Sequence, residues 1–258
     1  MLKAADLFCG AGGTSIGAQL TGRVNVRFAL NHWDRAIETH SANFPGAVHA
    51  KAMLREVSPS ECEKIDILFA SPECTHHSRA RGGRPTSDQQ RSGAWEVMPW
   101  IEYHRPRFIV VENVIEFQDW GPVGSNGKPL VTRKGAFFHA WLEAIRAAGY
   151  GASAAGPSIH QPLPTITTKD RHALTAAGLG ETVVIARTDG ERALKAVMDR
   201  IGVCDVGFRM LVNEELADAQ GFPPTYNFCG NKSEVTKQIG NSVSPPVARA
   251  ITESLLGV

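Results

Sequence analysis

Residues 2–20 read LKAADLFCGAGGTSIGAQL. An apolar run from Leu2 to Cys9 is broken by Gly10-Ala11-Gly12-Gly13, and the small-residue stretch from Thr14 to Leu20 can open a helix. Strand, glycine turn, helix is the opening unit of a parallel α/β sheet. Glycines at such a turn let the backbone approach a ligand closely, and the amides that follow can satisfy a carboxylate. The spacing is not the dinucleotide GxGxxG pattern, and no lysine stands where a phosphate loop needs one. An ordinary tight turn is the competing reading, with Cys9 packed beside it.

Further along, Val24–Leu30, Ile65–Ala70 and Phe108–Val111 read as strands. Asp34–Ala42, Ala94–His104 and Phe137–Ala148 read as the helices between and after them. This alternation predicts a Rossmann-like α/β fold, a parallel sheet with helices on both faces. After Gly149-Tyr150 the texture changes, because 151–164 is small, polar and proline-bearing. Short strand-like pieces at 165–168 and 183–186 follow, then helical stretches at 191–200 and 212–219 and a last apolar helix from Val247. The expected division is a large domain over 1–150, a small, reduced lobe over 151–225 and a terminal segment, 226–258, that returns to the large domain.

The totals bound the function. With 258 residues, 43% hydrophobic and 21% charged, the chain suits a globular enzyme and excludes a disordered or coiled-coil protein. A formal net charge of +1 does not by itself announce nucleic acid, so any such partner must meet a local basic patch. The five cysteines at 9, 62, 74, 204 and 229 form no CxxC pair, which argues against structural zinc and against a disulfide scaffold. No apolar stretch approaches the roughly 18–20 residues of a membrane span, and Met1–Asp6 already starts a strand, leaving no signal peptide. A reducing cytoplasm, no metal and no membrane are expected.

Three places carry candidate chemistry. Cys74, in Ser71-Pro72-Glu73-Cys74-Thr75-His76-His77, stands just past the carboxyl end of a strand, where open α/β sheets place their ligands. A buried small hydrophobe is one reading of that cysteine; a nucleophile, with Pro72 constraining the turn and polar neighbours around it, is the other. Glu112 follows four apolar strand residues, and an acid at a central strand's end is costly unless paired or used. Arg79, Arg81 and Arg84 fall within six residues beside Cys74 and read either as solvated surface or as a phosphate clamp, a face that Lys169 and Arg171 would extend.

Taken together the segments resemble the DNA (cytosine-5)-methyltransferase family. Asp6–Gly13 is similar to its cofactor motif, Ser71-Pro72-Glu73-Cys74 to its proline-cysteine motif and Glu112-Asn113-Val114 to its ENV motif. Glu215–Pro223, with Gln220-Gly221-Phe222-Pro223, resembles the QGFP segment, and Gln238–Pro246 the final GNSV motif. The resemblance implies S-adenosyl-L-methionine as cofactor, with Asp6, Phe8, Gly10, Gly12, Asn31, His32, Pro72, Asn241 and Val243 around it. It implies transfer of a methyl group to C5 of cytosine in double-stranded DNA, with the target base flipped out of the helix. Cys74 would be the transient nucleophile at C6 and Glu112 the partner of the ring, while Arg79, Arg81, Arg84, Lys169 and Arg171 would meet DNA. A restriction-modification or phage-protection role follows from the same likeness.

Four departures stand out. Glu73 replaces the usual proline before the cysteine and would raise the thiol's pKa if it pointed inward. Asn31 replaces the usual ribose-binding acid; Asn31-His32-Trp33, like Ser71–Cys74, is similar to a phage-like branch of the family. Residues 48–56 lack the aspartate expected to accept the adenine amine. After Gly149-Tyr150 the strands and QxRxR-like region that normally follow are missing, so Arg171 or an arginine of 79–84 would have to replace the missing group. The alternative reading is a catalytically silent DNA- or cofactor-binding module, or one part of a split methyltransferase that a second subunit or a homo-oligomer would complete.

Overall fold

The computed structural model describes residues 1–73, 87–88, 92–151, 173–179, 196–197, 200 and 203–257. Five parallel strands form the main sheet: β1 (Leu2–Leu7), β2 (Val24–Asn31), β3 (Val48–Lys51), β4 (Ile67–Ala70) and β5 (Phe108–Val111). Their order is β3-β2-β1-β4-β5. The chain therefore reverses direction across the sheet between β1 and β4, which opens a crevice at their carboxyl ends. Four helices accompany these strands: α1 (Gly13–Gln19), α2 (Asp34–Asn43), α3 (Met98–His104) and α4 (Ala136–Ala147). The expected Rossmann-like fold is borne out.

Period-two alternation sends the strands' side chains into two cores. Ala5, Leu7, Leu68 and Ala70 face a cluster with Trp100, Trp120, Phe138 and Trp141. Ala4, Ile67 and Phe69 face the other side, with Val24, Val26 and Ala18 of α1. β5 is the last strand of this sheet among the described residues, and all four of its residues are only half-buried, whereas all four of β4 are buried.

Sequence reading missed β3, whose Val48-His49-Ala50-Lys51 has three partly polar or small positions and an exposed valine. Its strand conformation comes from pairing with β2, Phe28 opposite Val48 through Asn31 opposite Lys51. It also missed a separate antiparallel pair, β6 (Ala173–Leu179) and β7 (Val203–Met210). Alanine and glycine in β6 carry little intrinsic strand preference, so pairing decides the conformation. The strand-like pieces expected at 165–168 and 183–186 lie outside the described residues.

Three further helices follow: α5 (Asn213–Gln220), α6 (Lys232–Gly240) and α7 (Pro245–Leu256). α7 lies against α1. A Cβ added at Gly17 would sit 2.4 Å from the Pro245 carbonyl oxygen and 2.6 Å from Ala248 Cβ, and one at Gly13 2.0 Å from the Val243 carbonyl oxygen. The helix–helix approach is thus set by absent side chains. Among the described residues no helix is long and apolar enough to cross a membrane. Replacing glycine by alanine inside a helix ordinarily gains about 1 kcal/mol of propensity. Gly17→Ala should instead lower stability by about 1–3 kcal/mol through overpacking against backbone; urea midpoints check this, and a rise in midpoint would contradict the close approach.

Candidate active site

The glycine turn after β1 is built from left-handed backbone. Phe8 (φ 61°), Gly10 (φ 53°) and Gly12 (φ 87°) all have positive φ. For Phe8 this conformation is uncommon and strained, of the kind that clusters at ligand sites. Around Gly10 a side-chain position would meet nothing nearer than the Phe8 carbonyl oxygen at 4.0 Å, so this stretch of backbone is open to a ligand. Gly12 is the reverse: a Cβ there would strike the Tyr226 hydroxyl at 2.6 Å, Phe44 at 2.8 Å and His40 at 3.0 Å. Tyr226 donates its hydroxyl hydrogen to the Ala11 carbonyl. The turn is therefore open on one side and clamped on the other, which suits a ligand that lies along the backbone.

The terminal motifs complete that clamp. The Gln220 amide donates to the Ser242 carbonyl at 2.8 Å, and the Ser244 hydroxyl returns a bond to the Gln220 carbonyl at 2.9 Å. The 220–223 and 240–246 segments are thereby one unit, and Val243 is carried onto Gly13. Asn241 lies at the end of α6 beside it and is exposed.

The register of the sheet brings the second and third motifs level. Ala70 pairs with Leu7 on one side and with Val111 on the other, so Ser71-Pro72 and Glu112-Asn113 leave the sheet together. Asn113 Nδ2 donates to the Pro72 carbonyl at 2.8 Å, while its Oδ1 accepts from the Val114 amide at 2.9 Å. Asn113 thus ties the loop after β4 to the loop after β5. Glu112 keeps a face open to solvent, yet the protein atoms around its carboxyl desolvate it and raise its pKa above the usual carboxylate range, a hydrogen bond with Ser71 opposing that rise. Pro72 is buried. Cys74 lies outside the described residues, as do Arg79, Arg81, Arg84, Lys169 and Arg171.

Several departures acquire a local explanation. Glu73 does not turn toward the sheet: its carboxylate lies 3.6 Å from His32 Nδ1, both side chains being exposed. The Asn31 side-chain oxygen accepts from the Trp33 amide at 2.9 Å and so helps start α2 rather than standing free for a hydroxyl. In the 48–56 stretch Glu56 is the acid, and its carboxylate is spent accepting from the Met53 amide at 3.0 Å.

Asp6 does not line the open face of the turn. It is 1% exposed and accepts a 2.6 Å hydrogen bond from the Ser15 hydroxyl. Burial pushes its carboxyl up to about 7, against the lowering effect of Ser15. Ser15, His40, Tyr226, Ser71 and Asn113 are the site residues that sequence reasoning missed. Ser71 and Asn113 were quoted only as parts of motifs; the other three carry no local signal, since their partners are 9 to 215 positions away. Among the described residues no group of three His, Cys, Asp or Glu side chains could hold a metal ion.

The family model of the C-5 cytosine-specific DNA methylases matches residues 2–155 and 158–257. The chain belongs to that family. M1.HphI of Haemophilus parahaemolyticus, a type II methyltransferase, is 24% identical over 328 aligned positions that take in 97% of this chain and 86% of the relative. M.AgeI of Thalassovita gelatinovora is 28% identical over 122 positions, 44% of this chain. The match spans only 28% of M.AgeI, well short of that relative's length. Among solved structures, a candidate DNA modification methyltransferase encoded within an E. coli prophage superposes with a TM-score of 0.63 at 16% identity, covering 100% of this chain and 99% of the other. The DNMT2 of Spodoptera frugiperda gives 0.64 at 11% identity, covering 99% and 100%. At these identities the structural likeness concerns the fold.

The geometry at Glu112 is testable directly. Ser71→Ala removes the hydrogen bond that lowers the Glu112 pKa, so burial is left unopposed and the pKa should rise further. Carboxyl-carbon NMR titration measures it; a fall or no change would separate Ser71 from Glu112.

Proposed function

We propose that the protein transfers a methyl group from S-adenosyl-L-methionine to C5 of cytosine in DNA. The observation that carries this reading is the pairing of the loops after β4 and β5, through Asn113 and Pro72, at the switch point beside an open, left-handed glycine turn. The cofactor, when bound, supplies an electrophilic methyl on a sulfonium. Phe8 and Gly10 would hold it against open backbone, with the buried Gly12 fixing the turn behind them and His32, Pro72, Asn241 and Val243 around it.

The protein's own residues would prepare the ring. C5 of cytosine is a poor nucleophile. Addition of the Cys74 thiolate at C6 forms a sulfur–carbon bond and moves an electron pair toward C5 and N3. Glu112, with its raised pKa, is suited to hold a proton at N3 and offset the charge that develops there. After methylation, loss of the C5 proton lets the sulfur–carbon bond break and restores the ring. Because the reaction needs an unstacked base, the cytosine would be flipped out, with Arg79, Arg81, Arg84, Lys169 and Arg171 neutralising phosphates.

A second reading has its own support. The family match is interrupted at 155–158, and the M1.HphI alignment of 328 positions exceeds the 258 residues of this chain, so that relative carries several tens of residues without counterpart here. With β5 at the edge of the described sheet, this favours a chain that binds cofactor and DNA but needs a second subunit for chemistry.

Incubation with a duplex containing 5-fluorocytosine and S-adenosyl-L-methionine decides between them, since fluorine at C5 blocks release of the enzyme. A covalent complex is expected, absent in Cys74→Ala. DNA binding without the complex would favour the second reading. Glu112→Gln should slow methyl transfer about 10²–10⁴-fold with DNA affinity kept, the usual worth of a positioned acid–base group; unchanged turnover would remove Glu112 from the chemistry.

A further inference from the structure

Below the glycine turn lies a row of polar side chains that the methyl transfer set out above does not use. Asp6 Oδ2 is 2.6 Å from Ser15 Oγ, Ser15 Oγ is 2.9 Å from His40 Nε2, and His40 Nδ1 is 2.8 Å from His49 Nε2. Ser15 and His40 are 0% exposed, whereas His49 at the far end is half-buried. The directions follow from chemistry. An ionised carboxylate only accepts, so the Ser15 hydroxyl donates to Asp6 and accepts from His40 Nε2–H. Neutral His40 then carries no proton on Nδ1 and accepts from His49 Nε2–H. The second carboxyl oxygen, Oδ1, is buried with no partner, so a negative charge on Asp6 is only half compensated.

We propose that Asp6, Ser15, His40 and His49 form a proton-linked unit whose charge favours the cationic methyl donor over its neutral product at the turn above it. The proposal rests on S-adenosyl-L-methionine being the cofactor. Its sulfonium carries a positive charge that S-adenosylhomocysteine lacks. Ionised Asp6, at the end of the strand that enters the turn, adds a negative potential in a low-dielectric interior, where it is weakly screened. A proton reaching the ring of His49 can pass its Nε2 proton to His40 Nδ1; His40 then gives its Nε2 proton to Ser15, and Ser15 its own to Asp6. One proton enters, one carboxylate is neutralised, and the reverse sequence restores the ionised state.

Cys9, Tyr226 and His40, which face Asp6, hold their charge constant through neutrality. Burial first, then Asp6 itself, keeps the Cys9 thiol well above its ordinary value and therefore protonated. Burial, with Cys9 and Asp6, likewise keeps the Tyr226 phenol neutral. Burial and the neighbouring His49 push His40 down to about 3, and burial lowers His49. The Asp6 carboxyl, raised to about 7 by burial, is the member of this group poised to change charge near neutrality.

Isothermal titration of the full chain with S-adenosyl-L-methionine and with S-adenosylhomocysteine, from pH 5.5 to 8.5, tests this. The affinity ratio of donor to product should rise with pH, by up to about tenfold per unit below the Asp6 titration, and level off above it. Buffers of different ionisation enthalpy should show more proton release with the donor than with the product. Asp6→Asn should make the ratio independent of pH. His49→Leu frees the His40 tautomer, weakens the Ser15 bond to Asp6 and should move the midpoint to higher pH. Binding of both nucleosides with a ratio flat in pH in the unaltered protein would overturn the unit while leaving the cofactor reading intact; an unmoved midpoint in His49→Leu would overturn the role of the histidines. Failure of either nucleoside to bind at any pH would sink both. If Asp6→Asn does not fold, the proton counts in the unaltered protein decide.

Discussion

Hydrogen bonding of β4 between β1 and β5 is the constraint on which the rest depends. It sets Leu7, Ala70 and Val111 side by side, so three chain segments leave the sheet at one level. A parallel sheet permits this only with long crossovers, because parallel neighbours cannot be joined by a hairpin. The crossovers here are helices that bury both faces of the strands. Slipping β4 by one residue would exchange Leu68 and Ala70 for Ile67 and Phe69 across the sheet and put each set into the wrong core. The register of the candidate site is therefore enforced by the packing of two hydrophobic cores, with no site residue needed to hold it.

Side-chain and backbone bonds then turn level segments into a site. Asn113 joins two loops that packing alone leaves independent, and Ser71 conditions the carboxyl of Glu112. On the other flank, Gln220, Ser242 and Ser244 make one unit of two segments, and the missing side chains of Gly13 and Gly17 let that unit rest on α1. Tyr226 and His40 press the turn from behind at Gly12. The result is a turn rigid on its protein side and bare at Gly10, an arrangement that lets backbone do the work of binding without reorganising.

Electrostatics adds a division of labour. Two carboxyls, Asp6 and Glu112, are both raised by loss of solvent, but one is sealed below the turn and the other faces outward. The charge expected to trouble the site is directed elsewhere, since Glu73 faces His32. In the stretch that lacks the expected aspartate, Glu56 serves its own backbone turn.

By itself the sequence determined the sheet's central strands, the helices around them and the motifs at 6–13, 71–74, 112–114, 220–223 and 238–246. Those features are encoded locally, in apolar runs, glycine turns and short patterns whose members are neighbours in the chain. Tertiary structure alone decided β3 and the β6–β7 pair. The small and polar residues of β3 and β6 have little strand preference until a partner supplies hydrogen bonds, and in β7 the strand formers Val203, Val206 and Phe208 are interrupted by Asp205 and Gly207. It alone revealed that Asn31 is used to start a helix, that Asp6 is sealed beneath the turn rather than open to a ligand, and that His40 and Tyr226 stand behind the same glycine. The reason is distance along the chain: Tyr226 meets Ala11 across 215 positions and Asn113 meets Pro72 across 41, and no local pattern records a contact that only packing brings about.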